Sequence, residues 1–341
     1  MTSVARPRIA DRARPNFGSV VRRWESLLVA LLLVVFLIAG VTLKGFLDPY
    51  NLADSTFNFS EKALIALPMA LLILVREIDI SVAAILAVSS VAMGFASQQG
   101  VPVPGLVLIG IAVGALCGAF NGTLVTRFAI PSIVVTIGTM SLYRGIALVV
   151  LGDQAYTGYP EALGDWGQGY FFGLIPRSFL ILLVFALLFA AGLHATAFGR
   201  RLYAIGSNPT AARFSGIAVD RYRLALFVLT GAMTGLAAVL LTGRIGSTRP
   251  NIALGWELEA ITMVILGGVS IAGGKGTIGG VMLAVLTLGT VTYALGLANV
   301  PGILMTIVIG ALLLVTITVP VLLRARTSTR RERHRSTSQA S

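Results

Sequence analysis

The side chains able to do chemistry are few, and most are spaced against it. Gly267–Thr277 reads GGVSIAGGKGT, which has the outline of a phosphate-binding loop. The pattern G-x-x-x-x-G-K-[ST] fails at two places: Val269 stands where the first glycine belongs, and Gly276 follows Lys275 where a hydroxyl must meet magnesium. These glycines read instead as a tight turn and close helix contacts. His194 and His334 are the only histidines, and neither has a partner at metal-ligand or triad spacing. Cys117 is the single cysteine, which excludes an intrachain disulfide and a cysteine metal site. No catalytic residue, no metal site and no cofactor are expected in this chain.

What remains is a small set of ionisable residues beside apolar runs, where charge is costly and points to function. Arg76, Glu77 and Asp79 in VREIDIS close one run, and Asp79 with Ser81 is placed to cap the next helix. Glu77, Asp79 and Ser81 are therefore read as a structural junction. Glu257 and Glu259 in LGWELEA stand at the entrance of a short run, near Arg244 and Arg249 in sequence. Two readings stand for them: lining an outward cavity, or starting a helix with favourable charge. Arg144 in SLYRG lies deep in a run and either snorkels to the interface or lines an aqueous path. Glu257, Glu259, Arg144 and Asn58 are the candidates for a translocation path.

The elements that must position these residues are membrane helices. Apolar residues make up 56% of the 341 and charged residues 12%, with a mean hydropathy of +0.89, far from the roughly 25% charged usage of soluble domains. Ten apolar segments are expected, near Ser26–Leu43, Ala63–Val75, Ile80–Ser97, Pro104–Val125, Ser132–Leu151, Ser178–Leu193, Leu224–Leu241, Ala260–Ala272, Thr277–Ala298 and Pro301–Leu323. Ala63–Val75 and Ala260–Ala272 fall short of the roughly 20 residues that span a bilayer core; each must borrow flanking residues or continue as a broken helix, and broken helices line cavities. The fold class is thus an all-α polytopic membrane protein of about ten transmembrane helices, some short or broken.

Basic residues orient it. With both termini cytoplasmic, the loops left outside hold only Lys44, Lys62, Arg177, Arg244 and Arg249, while the tails and the loop bearing Arg200, Arg201, Arg213, Arg221 and Arg223 lie inside. The net charge of +12 is read as this topology signal plus contact with anionic lipid of the bilayer, and no nucleic acid is expected. Residues 1–24 and 324–341 are expected as disordered basic cytoplasmic tails, flanking one transmembrane domain over 25–323. The first apolar run reads as a retained span rather than a cleaved signal. The outward loop 152–177 carries aromatics read as interface anchors.

Four stretches resemble permease subunits of bacterial ATP-binding cassette importers for monosaccharides, the ribose-type group: EIDISVAAILAVSS (Glu77–Ser90), FNGTLVTRFAIPSIVVTIGTMSLYRGIAL (Phe120–Leu148), FGRRLYAIGSNPTAARFSGI (Phe198–Ile217) and GWELEAITMVILGGVSIAGGKGTIGG (Gly255–Gly280). LGDQAYTGYP and GSTRPNIALGWELE look most like the rhamnose-type permeases, with autoinducer-2 permeases next. The resemblance implies an inner-membrane subunit, a second permease copy or a paralogue beside it, a cytoplasmic ATPase that supplies ATP and magnesium chemistry, and a periplasmic sugar-binding protein that delivers a monosaccharide. It also implies that 199–220 is the loop that couples to the ATPase. The residues suit this: Asn208 and Pro209 can start a short helix, Thr210, Ala211, Ala212 and Arg213 continue it, and Gly216 ends it. Arg76 and Ala83 depart from the small residue and the glycine that relatives often carry there. An ion-coupled secondary transporter is the rival, but its carboxylates belong at the membrane midplane.

Overall fold

Long apolar helices joined by short polar connections leave the chain one way to satisfy its backbone in hydrocarbon, which is to close every hydrogen bond within each helix. The structure is a computed structural model, describing residues 24–308 with 310, 311, 314 and 318. The expected tails 1–24 and 324–341 lie outside the described residues, apart from Trp24. The helices are α1 Trp24–Thr42, α2 Pro49–Ser55, α3 Phe57–Leu74, α4 Val82–Gln98, α5 Val103–Arg127, α6 Ser132–Leu151, α7 Glu161–Gln168, α8 Arg177–Ala195, α9 Ala197–Ser207, α10 Pro209–Phe214, α11 Val219–Ile245, α12 Trp256–Leu266 and α13 Ile278–Leu297. Residues 302–308 begin a further helical stretch. Strands are two residues each: β1 Tyr156–Thr157 pairs with β4 Ser247–Thr248, and β2 Tyr170–Phe171 with β3 Ile175–Pro176, both antiparallel.

This is an all-α polytopic membrane protein, with seven helical segments among the described residues long and apolar enough to cross a membrane. One of them, Pro49–Leu74, joins α2 to α3. The run expected as Ala63–Val75 is therefore not short, because Asp48 caps α2 through Tyr50 N (2.9 Å) and Asn51 N (3.1 Å) and the chain stays helical from there. In consequence Lys62, expected in an outer loop, lies inside α3. The run expected as Ala260–Ala272 is broken, as its length requires: α12 has 11 residues, and beyond it the backbone takes positive φ at Gly268, Gly273, Gly274 and Gly276.

Connections sort to two ends. One end gathers the α3–α4 connection, α9, α10 and the α12–α13 loop; the other gathers α2, α7 and the segment 246–255. That second segment is tied inward, since Thr248 Oγ1 meets Ser90 Oγ at 2.5 Å and Tyr159 OH at 2.6 Å, and Ser90 Oγ meets Thr242 Oγ1 at 2.6 Å. Tyr156 and Tyr159 pack against Gly94 of α4, so these two aromatics face the bundle and are not the interface anchors expected of that loop.

The core is organised around α3, buried almost along its whole length, and around a pairing of α5 with α11. Along α5, Gly110, Gly114, Gly118 and Gly122 recur every fourth residue and present a strip without side chains. A Cβ at Gly114 would fall on the Gly231 carbonyl, one at Gly118 on the Phe227 carbonyl, and one at Gly235 on the Gly110 carbonyl. Backbones approach this closely in membranes because van der Waals packing, rather than a hydrophobic drive, holds helices together there.

Candidate functional site

Thr196 starts α9 by accepting from Gly199 N (3.4 Å). Asn208 then ends α9 and caps α10, its Oδ1 accepting from Ala211 N at 3.0 Å, with Pro209 at the first helical position. The exit is an αL turn at Gly216 (φ +79°), where Gly216 N donates to Arg213 O and Ile217 N to Ala212 O, both at 3.0 Å. Thus α10 forms where the residues Asn208–Gly216 indicate it. Its faces divide sharply: Ala212 is 4% exposed and turned to the bundle, whereas Phe214 is 90% exposed. Thr210 and Ala211 are exposed, so added bulk has room at Ala211 and none at Ala212. Arg213 forms an exposed pair with Asp220 at 2.6 Å.

The helix α9 was not visible in the sequence, and it carries the seating of this module. Arg76, with φ +70°, donates Nε to Gly206 O and Nη2 to Ser207 O, each at 2.7 Å. Tyr203 OH donates to Gly276 O at 2.6 Å. Gly274 N donates to Leu74 O at 2.9 Å, and Gly206 leaves no room for a Cβ between Leu74 O and the Gly274 backbone.

The junction residues sit beside it. Glu77 lies 2.9 Å from Arg223 Nε of α11. Asp79 is fully buried, and its Oδ1 accepts from Ser81 N (2.9 Å) and Ser81 Oγ (2.6 Å). Asn121 Nδ2 donates to Ser81 Oγ (2.8 Å) and to Asp79 Oδ2 (3.3 Å), while Tyr143 OH donates to Asn121 Oδ1 at 3.1 Å. The N-cap of α4 is Ser81, whose side chain makes no capping bond; the expected capping by Asp79 and Ser81 is instead a turn closed by Asp79 on Ser81. The relay ties the connection to α5 and α6, and its three donors satisfy the carboxylate without a cation.

At the opposite end the four path candidates fall into two groups. Asn58 and Glu259 line one small cleft together with Lys62, which pairs with Glu259 at 2.6 Å and lies 5.1 Å over the Trp256 ring. Next to Lys62, Glu61 is fully buried against Arg244 Nε at 2.7 Å. Glu257 and Glu259 are therefore not partnered by Arg244 and Arg249, the basic residues nearest in sequence; α3 begins early enough to bring Lys62 to Glu259 and Glu61 to Arg244. Arg144 donates Nη1 to Pro250 O (2.7 Å) and Ile252 O (3.0 Å), within electrostatic reach of Glu257. Glu257 Oε2 is buried and has no hydrogen-bond partner among the described residues. A cavity of about 470 Å³ adjoins this group, lined by Arg244, Arg249, Asn251 and Trp256 among others. Among the described residues no cluster of His, Cys, Asp or Glu could hold a metal ion.

Residues 51–317 match the family described as the branched-chain amino acid transport system / permease component. The chain belongs to this family. Among its relatives, the autoinducer 2 import system permease protein LsrD of Escherichia coli (strain K12) is 36% identical over 300 residues, covering 86% of this chain and 91% of that protein, and LsrD of Shigella flexneri matches to the same extent. No solved structure matches. The resemblance drawn from four sequence stretches is thus borne out at the level of the family, and the permease is a transport component, not an enzyme.

Proposed function

We propose that this permease is the membrane subunit of an ATP-binding cassette importer and provides the path for a small polyhydroxylated solute of the monosaccharide class. The observation that carries the reading is the pairing of a family match over most of the chain with a capped, outward-turned α10 on a seated α9, which is the shape required of an element that docks on an ATPase. In this reading the α9 end faces the cytoplasm of a bacterial inner membrane, both termini lie on that side, and α4, α12 and the helix from 302 complete ten spans. A periplasmic binding protein delivers the solute at the opposite end, and a second permease copy or a paralogue completes the path. Arg144, Glu257, Asn58 and Glu259 are the residues placed to meet it, Glu257 above all because a buried unpaired carboxylate oxygen is a ready acceptor for a hydroxyl. The rhamnose preference read from two segments gains no support from the relatives, whose names favour autoinducer 2, the second reading.

Purified alone, the permease is expected to hydrolyse no ATP. Reconstituted with its ATPase and binding protein, it is expected to import solute with ATP and without a proton gradient, and paired uptake of rhamnose and autoinducer 2 ranks the two solutes. Gradient-driven uptake by the isolated chain would remove the reading. In a Cys117→Ser background, Gln168→Cys should be labelled from outside intact cells and Ser207→Cys should not; the reverse pattern inverts the topology.

A further inference from the structure

Arg76 holds a left-handed backbone that a glycine takes freely and an arginine takes only when its surroundings enforce it. An outlier of this kind asks what the side chain does in exchange. Its guanidinium is spent on two backbone carbonyls, Gly206 O and Ser207 O, the last two residues of α9, at 2.7 Å each. Terminal carbonyls of a helix have no partner within it, so the fork of Arg76 closes the end of α9 from another element. On the same residue's other side, Gly273 lies against the Arg76 side chain so closely that a Cβ there would strike it. Two residues back, Leu74 O accepts from Gly274 N at 2.9 Å. Three segments distant in sequence therefore meet at one point: the α3–α4 connection, the end of α9 and the α12–α13 loop.

We propose that Arg76 is a positioning residue that transmits motion of α9 and α10 to α4 and to the broken α12 together; the inference rests on the transporter reading above. The route on either side is continuous. Toward α4, the next residue, Glu77, reaches Arg223 of α11, and Asp79 reaches α5 and α6 through Ser81, Asn121 and Tyr143. Toward α12, Gly273 and Gly274 at φ +79° and +72° form a turn that can be re-aimed as one piece, and α12 ends at the Lys62–Glu259 pair beside the solute candidates. A lysine cannot serve in the same way, because one ammonium lacks the rigid fork that holds two carbonyls at fixed spacing.

The test uses the full transporter in proteoliposomes and reads solute imported per ATP hydrolysed. Arg76→Gly keeps the backbone conformation and removes the guanidinium, so folding is retained. The expected result is normal recovery of the complex, binding-protein-stimulated hydrolysis within about twofold of wild type, and uptake per ATP lower by about tenfold, within the range of coupling between linked sites. Arg76→Lys should fall between. An unchanged ratio in Arg76→Gly overturns the proposal, and so does a parallel fall of complex recovery, hydrolysis and uptake, which would make Arg76 merely structural. A wild-type complex that imports nothing on ATP would overturn the transporter reading itself, and is seen in the control before any variant is compared.

Discussion

Glycine does opposite work in two regions of this permease. Between α5 and α11 the glycines are helical, and they act by having no side chain, so that carbonyls of one helix rest on the α-carbons of the other. At the α12–α13 loop the glycines act by their backbone, taking positive φ at four positions within ten residues. The first use removes freedom, since two backbones in contact have one arrangement and no rotamer to adjust. The second use creates a place where direction changes without a helix being lost. A transporter needs both: a part that stays fixed while another part is displaced.

The contrast is broken most directly at Gly114. Gly114→Leu would set a branched side chain on the Gly231 carbonyl; overpacking costs about 1–3 kcal/mol where neighbours can shift, but here the obstacle is backbone, so the helix pair itself is expected to fail. Loss of monodisperse protein on size-exclusion chromatography is expected, whereas Gly138→Leu on α6, with none of the described residues within 4 Å of its Cβ, should leave the profile unchanged. Equal behaviour of the two would mean that the α5–α11 contact is not the fixed part.

Next in size is Glu61→Ala, which strands Arg244 in the bundle. Removing one partner of a buried ion pair costs about 3–5 kcal/mol, reduced here because Arg244 keeps partial exposure. A lower thermal midpoint is expected, and Glu61→Ala combined with Arg244→Met should recover most of it. A double variant no better than the single would show that the pair is not the source of the loss.

The smallest effect is expected at Arg213→Ala. Its pair with Asp220 is about half exposed on both sides, and exposed pairs contribute about 0–1 kcal/mol. Stability should hold, and in the reconstituted transporter any loss should appear only in recruitment of the ATPase. A clear drop in thermal midpoint would mean that α10 depends on this pair rather than on its Asn208 cap and Gly216 exit.

Much of this was legible in the chain. Hydropathy located the membrane helices, and Asn208, Pro209 and Gly216 located α10 because caps act within one turn of backbone. What escaped depends on partners far away in sequence. The breadth of α3 was missed because Phe57–Lys62 is polar enough to look like a loop until Glu61 and Lys62 find Arg244 and Glu259. The helix α9 was missed because its arginines read as loop charge. The spacing of Gly110, Gly114, Gly118 and Gly122 was a usable signal for a close-packed helix face, and pairing it with Gly231 and Gly235 would have named its partner.

The indoles add a practical consequence. Of the three tryptophans, Trp24 donates Nε1 to Leu266 O at 2.6 Å and lies against Gly268, at one end of α12. Trp256 is the first residue of α12, under the Lys62 ammonium. The eleven-residue helix on which the transmission route ends is therefore bracketed by two native fluorophores in different electrostatic surroundings, a hydrogen-bonded indole at one end and a cation-capped one at the other. With Trp166→Phe as background, the intrinsic emission of the unlabelled permease becomes a reporter of α12 alone, able to follow its two ends separately as ATP and solute are added.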